Sequence, residues 1–352
     1  MDAVRIGIIG CGKMSTGLAE RHLRNLAQLV VTAVMDRDAD AADRLARATG
    51  ARATTDLEDV LRAEDVDAVY VATPHALHAP QTIAAARHGK HVLVEKPLAT
   101  TVEDGEAMIR ACREAGVVLG VGYQRRFLTG ADQVRELVHS GALGDILYVR
   151  NCYNARGGDD KFDGWHGDAA LAGGGGLFNH ATHALDVLRY VTGLEVDEVY
   201  ARIASITAPQ GVDDVASLVL SFRDTEAIGD VEALSRALGG TRIRMGEDVI
   251  GQSGLDVCGT RGHVYWEGYV NVFPVEPMES LRTGEWQQLP VHKTVANADL
   301  LADFAHAVQT GARPRAAGED GLATVELVRA AYASVERNRP VRVENRHLAL
   351  AG

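Results

Sequence analysis

The sequence predicts a two-part α/β protein: an N-terminal doubly wound parallel sheet, followed by an α+β domain with a mostly antiparallel sheet. Over the first 124 of its 352 residues, short apolar runs alternate with amphipathic runs, and strands that alternate with helices of about 10–15 residues form parallel βαβ units. Beyond residue 125, short runs alternate polar with apolar residues, which is typical of antiparallel strands with one solvated face. We therefore predict one domain over residues 1–124 and a second over residues 125–352.

Local signals define the elements of the first domain. Its strand candidates are short apolar runs, as in buried strands. Pro80 opens one helix and Gly89 follows it, the asymmetry expected at helix ends. We predict strands at Val4–Ile9, Leu29–Met35, Ala68–Thr73, His91–Glu95 and Val117–Gly122, and helices at Gly17–Leu26, Ala39–Thr49, Pro80–His88 and Val102–Glu114.

The second domain has a different texture. Strand-like runs follow one another with few helices between them from about Glu198 to Trp286, which favours an antiparallel sheet. In front of these runs we predict a strand at Ile146–Tyr153 and helices at Ala131–Ser140 and Leu177–Val191, and behind them helices at Asp299–Thr310 and Gly321–Arg337.

Charge and apolar patterning exclude several classes of protein. Asp and Glu outnumber Lys and Arg by 48 to 36, a formal net charge of −12, and such a surface repels phosphate backbones and anionic membranes. We therefore expect no nucleic-acid and no membrane partner. The chain lacks an apolar run of the ~20 residues that cross a bilayer and a signal-peptide pattern, and its four scattered cysteines form no C-x-x-C pair. We expect a cytoplasmic protein.

A glycine-containing turn follows the first predicted strand. Gly10 and Gly12 allow a tight turn and a close approach of the backbone to a pyrophosphate, although Ser15 replaces the third glycine of G-x-G-x-x-G. Asp36 comes directly after the second strand, where an acid hydrogen-bonds the ribose of NAD. Arg37 follows and either is a solvated charge, stacks on the adenine or binds a 2′-phosphate. The turn predicts dinucleotide binding with NAD preferred and NADP possible.

Two further segments carry residues suited to proton transfer. Lys96 follows the strand that ends at Glu95, and Pro97 restricts its backbone to extended geometry, so its ammonium is aimed rather than mobile. Asn179 and His183 are four residues apart on a predicted helix, behind glycines 173–176 that indicate a close backbone approach. The alternative readings are a solvated lysine, a capping asparagine and a core histidine. The H-x-x-H pairs lack further metal ligands, so we expect no metal.

With these motifs in view, the chain resembles the Gfo/Idh/MocA family, the group around glucose–fructose oxidoreductase and inositol dehydrogenase. The resemblance runs through IGIIGCGKM, VATPHALHAPQTIAAARHGKHVLVEKPLA, GYQRRF and WHGDAALAGGGGLFNHATHALDVLRYVTG. It implies an N-terminal Rossmann domain, a C-terminal domain with a large open sheet that packs against another subunit as a homodimer or homotetramer, and hydride transfer between NAD(P) and a ring hydroxyl or ketone of a sugar, aminosugar or cyclitol.

The resemblance also implies residue roles. Lys96 matches the catalytic lysine of the E-K-P motif and His183 the motif histidine that accepts a proton. Asn179 stands where many members have Asp, and an amide cannot act as a base. The candidate cofactor-binding residues are Gly10, Gly12, Lys13, Met14, Asp36, Arg37, Thr73, Pro74, His78, Glu95, Lys96 and Gln124, and the candidate substrate-binding residues are Tyr153, Arg156, Trp165, Asn179, His180 and His183.

Two other functions remain open on the sequence alone. One is an enzyme that uses bound NAD transiently, so that elimination or epimerisation of a sugar can follow. The other is a non-catalytic nucleotide or sugar sensor with the same fold, because fold does not determine function.

Overall fold

The computed structural model describes residues 2–23, 26–154, 162–209, 211–235, 243–245, 248–250, 254–278 and 280–350. The chain divides into two compact units, one of Met1–Gln124, Val295–Leu322 and His347–Gly352, the other of Arg125–Thr294 and Ala323–Arg346. The first break lies at the predicted domain boundary, whereas the residues from 295 to 322, which we assigned to the second domain, group with the first unit.

The first unit contains a six-stranded parallel sheet in the order β3-β2-β1-β4-β5-β6. The predicted doubly wound parallel sheet is therefore confirmed. Its strands are β1 (Val4–Ile9), β2 (Leu29–Met35), β3 (Arg52–Thr54), β4 (Ala68–Val71), β5 (His91–Val94) and β6 (Leu119–Val121), and its helices are α1 (Lys13–Arg21), α2 (Ala39–Thr49), α3 (Leu57–Leu61), α4 (His78–Arg87) and α5 (Val102–Glu114).

The strand order reverses between β1 and β4, which pair in parallel with Ile6 opposite Ala68. In open α/β sheets, ligands bind beyond the carboxyl ends of the strands at this switch point. The glycine turn after β1 and the Thr73–Pro74 segment after β4 both lie there. The sheet is covered in part by α9 (Ala296–Thr310), whose Phe304 belongs to the same buried cluster as Ile6.

Two helices of this unit begin earlier than the sequence predicts. α1 starts at Lys13 rather than Gly17, because the glycine turn runs directly into the helix with Gly12 as its N-cap. α4 starts at His78 rather than Pro80, which places the proline in the first turn, where a missing N–H costs no helical hydrogen bond.

The second unit contains a nine-stranded sheet in the order β16-β15-β14-β13-β7-β10-β9-β8-β17. Within the described strands β7 and β10 pair in parallel and the remaining neighbours are antiparallel. The strands are β7 (Ile146–Asn154), β8 (Val196–Ala204), β9 (Val215–Phe222), β10 (Ile228–Leu234), β13 (Leu255–Gly259), β14 (Gly262–Trp266), β15 (Val270–Pro274), β16 (Gln287–Leu289) and β17 (Val341–Arg342), with β11 (Ile243–Met245) and β12 (Asp248–Ile250) as a separate pair.

The helical segments of the described chain beyond α5 range from four to 20 residues. The segment predicted as one helix over Leu177–Val191 is a π-helical turn followed by an α-helix. Besides α9, the helical segments are α6 (Ala131–His139), α7 (Ala169–Ala172), the π turn (Leu177–Ala181), α8 (Thr182–Thr192), α10 (Gly318–Arg337) and α11 (His347–Leu350).

One face of the large sheet is covered and the other is open. In β9 the residues Ala216, Leu218, Leu220 and Phe222 are buried in a cluster that also contains residues of α8, whereas Val219 on the opposite face is 48% exposed. This alternation is that of a sheet with one solvated face, and it confirms the predicted large, mostly antiparallel open sheet. Among the described residues, the helices are all too short or too polar to cross a membrane.

Candidate active site

The glycine turn after β1 leads directly into helix α1. Gly10 has a φ of +95°, and a Cβ there would lie 2.7 Å from the Ala72 carbonyl oxygen, so a side chain does not fit. At Gly12 the reverse holds: within the described residues, nothing lies within 4 Å of the position a Cβ would take. The space beside Gly12, at the N-cap of α1, is therefore open, and a helix N-terminus with such space suits the pyrophosphate of a dinucleotide. Lys13 and Met14 are exposed on the same turn.

Ser15 fastens this turn from the inside. Its side chain is fully buried, and its hydroxyl donates to the carbonyl oxygens of Gly10 at 2.6 Å and Gly12 at 3.1 Å. A serine thus stands at the third motif position, and its hydroxyl bonds link the start of α1 to both glycines of the turn.

Asp36 connects the end of β2 to the glycine turn. Its carboxylate accepts hydrogen bonds from the backbone N–H groups of Cys11 at 2.7 Å and Asp38 at 3.0 Å. These bonds fix the carboxylate beside the turn, where the sequence places the ribose of NAD. Arg37 is exposed next to it. The residues present fit a dinucleotide at this edge of the sheet.

The half-buried carboxyl of Glu95 lies beside Lys96. The Tyr70 hydroxyl donates to Glu95 Oε1 at 2.5 Å, and the Lys96 N–H lies 3.3 Å from Oε2. Burial raises the pKa of Glu95, while the charge of Lys96 opposes that shift. A Cβ at Gly122 would lie 3.2 Å from the carboxyl, so glycine makes room for it. The peptide bond from Lys96 to Pro97 is cis.

His78 joins the segments that follow β4 and β5. Its imidazole is fully buried, with Nδ1 2.8 Å from the Pro97 carbonyl oxygen and Nε2 3.0 Å from the Thr73 carbonyl oxygen. Burial lowers the pKa of His78 to about 4, and the nearby Lys96 charge acts in the same direction. The ring is neutral at pH 7 and has one N–H for two acceptors. This histidine thus links the segments after β4 and β5, at the edge of the sheet where we predict that the dinucleotide binds.

In the second unit, two histidines stack on one tyrosine. The Tyr153 ring, on β7, lies 5.3 Å from the His180 ring and 5.2 Å from the His183 ring, with interplanar angles of 14° and 18°. The buried guanidinium carbon of Arg125 lies 4.9 Å from the centroid of the same tyrosine ring. The structure thus brings together three residues predicted to bind substrate and adds Arg125, which the sequence did not single out.

The π turn before α8 carries Asn179 and His180. Its wider winding is rare and recurs at functional sites. Asn179 is half-buried, and its N–H donates to the Gly175 carbonyl oxygen at 2.9 Å. His180 Nδ1 lies 3.2 Å from the Ser235 hydroxyl. The predicted single α-helix is therefore wrong in its first turn, because the segment from 177 to 181 is a π turn.

Asp186, three residues after His183, has a structural partner. It forms a buried bidentate ion pair with Arg126, with Nη2–Oδ1 at 2.6 Å and Nε–Oδ2 at 3.0 Å. Two desolvated charges are held in place only when their hydrogen bonds are well made. Asp186 thus anchors α8 to the turn that follows Gln124.

The space beside the glycines that precede the π turn is occupied by other residues of this chain. A Cβ at Gly175 would lie 1.9 Å from the Asp213 carbonyl oxygen, one at Gly174 2.1 Å from the Tyr332 hydroxyl, and one at Gly176 2.5 Å from the Ser235 hydroxyl. The close approach that the sequence indicated is present. The groups that approach belong to this chain.

Other candidate residues have different surroundings. Thr73 donates its hydroxyl to Gln81 Oε1 at 2.6 Å, and the adjacent Pro74 precedes the 3₁₀ turn His75–Leu77. Trp165 stacks on its neighbour His166 at 3.8 Å. Gln124 begins the turn Gln124–Phe127, and Arg156 lies outside the described residues. Within the described chain, no cluster of three or more His, Cys, Asp or Glu side chains suits a metal ion.

Fold and site define a dinucleotide-binding protein with a second, open-sheet unit. Residues 4–123 match the oxidoreductase family with an NAD-binding Rossmann fold, and residues 131–265 match the GFO/IDH/MocA C-terminal domain. The chain is 33% identical over 331 residues to 1,5-anhydro-D-fructose reductase of Ensifer adhaerens, which covers 90% of this chain and 92% of that protein. The chain therefore belongs to the Gfo/Idh/MocA family of oxidoreductases.

Two further comparisons extend over nearly the whole chain. Myo-inositol 2-dehydrogenase of Thermotoga maritima is 28% identical over 348 residues, 97% of this chain and 99% of that one. The crystal structure of aldose-aldose oxidoreductase from Caulobacter crescentus, complexed with glycerol, is similar with a TM-score of 0.83 at 26% identity, over 97% of this chain and 99% of the other. The match confirms the mixed α/β fold and the membership in an oxidoreductase family.

Proposed function

We propose that this chain is an NAD-dependent dehydrogenase or reductase that acts on a ring hydroxyl or ketone of a sugar, aminosugar or cyclitol. The observation that carries the proposal is the buried pair His180 and His183 stacked on Tyr153, in a family member with an open dinucleotide turn. The relatives support the substrate class, since one is named for an anhydro sugar and another for a cyclitol.

His183 is the residue we assign to proton transfer. Oxidation of a secondary alcohol breaks a C–H bond, whose electron pair leaves with the hydrogen, and an O–H bond, whose proton needs an acceptor. When bound, NAD supplies the hydride acceptor. An imidazole titrates near neutrality and accepts the proton, whereas the amide of Asn179 orients the substrate without taking a proton.

Lys96 is the residue we assign to charge stabilisation. As the proton leaves, negative charge develops on the substrate oxygen, and a fixed ammonium lowers the energy of that charge. The Glu95 carboxyl, held by Tyr70, limits where the Lys96 backbone lies. Tyr153, Trp165, Asn179 and His180 are proposed to line the sugar site, since aromatic faces pack against sugar rings.

We assign NAD as the preferred cofactor because of Asp36. Its carboxylate is held beside the glycine turn by two backbone N–H groups and repels a 2′-phosphate. The wild type is expected to have a higher kcat/KM with NAD⁺ than with NADP⁺. Asp36→Ala is expected to lower the ratio of the first value to the second. A preference for NADP⁺ in the wild type would assign Arg37 to the phosphate instead.

The open face of the nine-stranded sheet is the proposed subunit contact, in a homodimer or homotetramer. Tyr148, Val219 and Ile228 are exposed on three neighbouring strands of that face, and exposed apolar patches mark interaction sites. Light scattering after gel filtration is expected to give a multiple of 37.6 kDa, reduced in Val219→Arg. A wild-type monomer would contradict this assignment.

The catalytic proposal is tested by absorbance at 340 nm with NAD⁺ and NADP⁺ against inositols, hexoses, aminosugars and anhydro sugars. Lys96→Met is expected to lose about 10²–10⁴ in kcat while it keeps its affinity for NADH. Lys293→Met, at an exposed lysine, is the matched control and should retain wild-type turnover. Near-normal turnover in Lys96→Met would remove Lys96 from the mechanism.

A flat trace with every substrate separates the remaining functions. The supernatant of the denatured protein is then assayed for nicotinamide dinucleotide. Nicotinamide dinucleotide released from the denatured protein, together with no net change in absorbance at 340 nm, would favour transient oxidation of the substrate coupled to elimination or epimerisation. An absence of cofactor would favour a sensor.

A further inference from the structure

A single carboxylate from a distant loop closes the start of the π turn. Asp213 is buried; its Oδ1 accepts the Gly175 N–H at 2.8 Å, and its Oδ2 accepts the Leu177 N–H at 2.7 Å. The backbone carbonyl of the same residue accepts the Gly176 N–H at 2.6 Å. Three successive N–H groups at the start of a helical segment, which lack partners within the helix, are therefore bound by one residue.

Tyr332 completes this arrangement from α10. Its hydroxyl donates to Asp213 Oδ1 at 2.5 Å and lies 3.3 Å from the Gly175 nitrogen. Burial and the charge of Asp213 both raise the pKa of Tyr332, so the phenol stays protonated and remains a donor. A buried carboxylate with such donors has its lone pairs directed toward fixed positions.

The packing around these bonds leaves the π turn little room to move. Gly174, Gly175 and Gly176 pass so close to Tyr332, Asp213 and Ser235 that none has space for a Cβ. At the other end of the turn, Ser235 contacts His180. The segment that leads to His183 is therefore held on both sides by side chains from distant parts of the chain.

We propose that Asp213, with Tyr332 as its donor, is a positioning residue that holds the π turn so that the His183 imidazole stays stacked on Tyr153. The inference rests on the proposed function, in which His183 accepts the substrate proton. A displacement of about 1 Å between a catalytic group and its substrate can cost 10²-fold in rate. Asp213 thus acts on the reaction through His183 and touches no reacting atom.

The neighbouring Asp214 offers a matched control. It is also buried, and its carboxylate accepts hydrogen bonds from the Ile206 N–H at 2.8 Å and from the N–H and hydroxyl of Thr207 at 2.6 and 2.5 Å. These donors lie on the loop after β8 and not on the histidine-bearing segment. Asp213→Asn and Asp214→Asn therefore remove equivalent charges from equivalent burial, and only the first alters the π turn.

The first readout needs no substrate. Protein labelled with ¹³C in its histidines is examined by NMR, with the His183 signal assigned through His183→Gln and its ring-current shift through Tyr153→Leu. We expect Asp213→Asn to move the His183 signal and its titration midpoint, and Asp214→Asn to leave both in place. The two variants are expected to lower Tm by similar amounts. An unmoved His183 signal in a folded Asp213→Asn would overturn the proposal.

The second readout is turnover, measured with NAD⁺ and myo-inositol or, where that is inert, the substrate found in the 340 nm survey. Asp213→Asn is expected to lower kcat about 10- to 100-fold, to change KM less than kcat and to shift the acid limb of the pH profile, while Asp214→Asn stays near wild type. Equal losses in both variants, in step with Tm, would make Asp213 a structural residue only.

Two further variants separate the possible failures. His183→Gln with normal turnover would refute the proposed proton acceptor, and the positioning role with it. An inactive His183→Gln beside a fully active Asp213→Asn would refute the positioning role alone. If Asp213→Asn does not fold, Tyr332→Phe is measured by the same readouts, because it removes the phenol donor and leaves all three N–H bonds to Asp213.

Discussion

The two glycine-rich turns of this chain are similar in sequence and opposite in their surroundings. At Gly12 the space that a side chain would occupy is open among the described residues, whereas at Gly175 it is taken by the Asp213 carbonyl oxygen. The first turn leaves space beside the N-cap of α1, and the second lets the protein's own Asp213 bind the start of a π turn. A run of glycines thus indicates a close approach without saying whether a ligand or the chain itself makes it.

The largest expected effect comes from filling the second turn. In Gly175→Ala the new Cβ would lie 1.9 Å from the Asp213 carbonyl oxygen and 2.4 Å from its nitrogen, both of which are backbone atoms that cannot rotate away. We expect a loss of about 3 kcal/mol in the free energy of unfolding, measured by urea titration. A change below ~0.5 kcal/mol, the range of neutral surface substitutions, would break the comparison.

The next prediction concerns the loss of stability in acid, which we expect from His78 in the first unit. His78 has a folded-state pKa of about 4, below the value of ~6.5 expected when unfolded, so the unfolded chain binds the proton more readily. Its contribution to stability is present above pH 6.5 and is lost as the pH falls toward 4. From pH 7 to pH 5 the loss is about 1–2 kcal/mol.

His78→Gln tests this assignment in urea titrations at both pH values. The variant should be less stable at pH 7, and its loss of stability on acidification should be smaller than that of the wild type by the same 1–2 kcal/mol. Parallel losses in the two proteins would place the acid sensitivity elsewhere. His139→Gln, at a histidine on α6 of the second unit, serves as the control.

The open turn should show the opposite pattern from Gly175. Gly12 has an ordinary φ of −79° and open space around it, so Gly12→Ala is expected to leave the urea midpoint unchanged. The added methyl group stands where the pyrophosphate would approach, so we expect NADH affinity to fall about tenfold, or 1.4 kcal/mol. Fluorescence titration measures it; unchanged affinity would place the dinucleotide away from this turn.

The smallest effect concerns Ser15. Loss of its hydroxyl removes the donor to Gly10 and Gly12, and Ser15→Ala is expected to cost about 1 kcal/mol of stability, with a modest loss in NADH affinity. A variant as stable as the wild type would show that the turn holds its shape without this donor.

Local signals explain which parts of the fold are predictable. The bounds of β1, β2, α2 and α5 agree with the sequence prediction to the residue, because apolar runs and caps such as Asp38 and Thr101 are encoded next to the elements they define. The sequence analysis missed β3 and α3, which have three and five residues and are too short for a periodicity to develop.

In the candidate site, too, the residues marked by a local signal could be predicted and the others could not. The ends of predicted strands locate Lys96, Asp36 and the glycine turn. Tyr332 could not be predicted, since it stands 119 residues from the aspartate it binds and has no local pattern that marks it. Tyr70 could not be predicted either, because its sequence position indicates only a strand residue and not its hydrogen bond to Glu95.

The helix that covers the first sheet has a consequence for biosynthesis. The last strand of that sheet ends at Val121, and α9 begins at Ala296, about 175 residues later. At roughly 5–20 residues per second, a ribosome needs roughly 10–35 s to bridge that interval. During this time Gly120, beside which Phe304 lies, and Leu93 of the same buried cluster are not covered by α9 on the nascent chain. The nucleotide-binding half is therefore the first to be made and among the last to be finished, and a fragment that stops at residue 124 would expose this surface permanently.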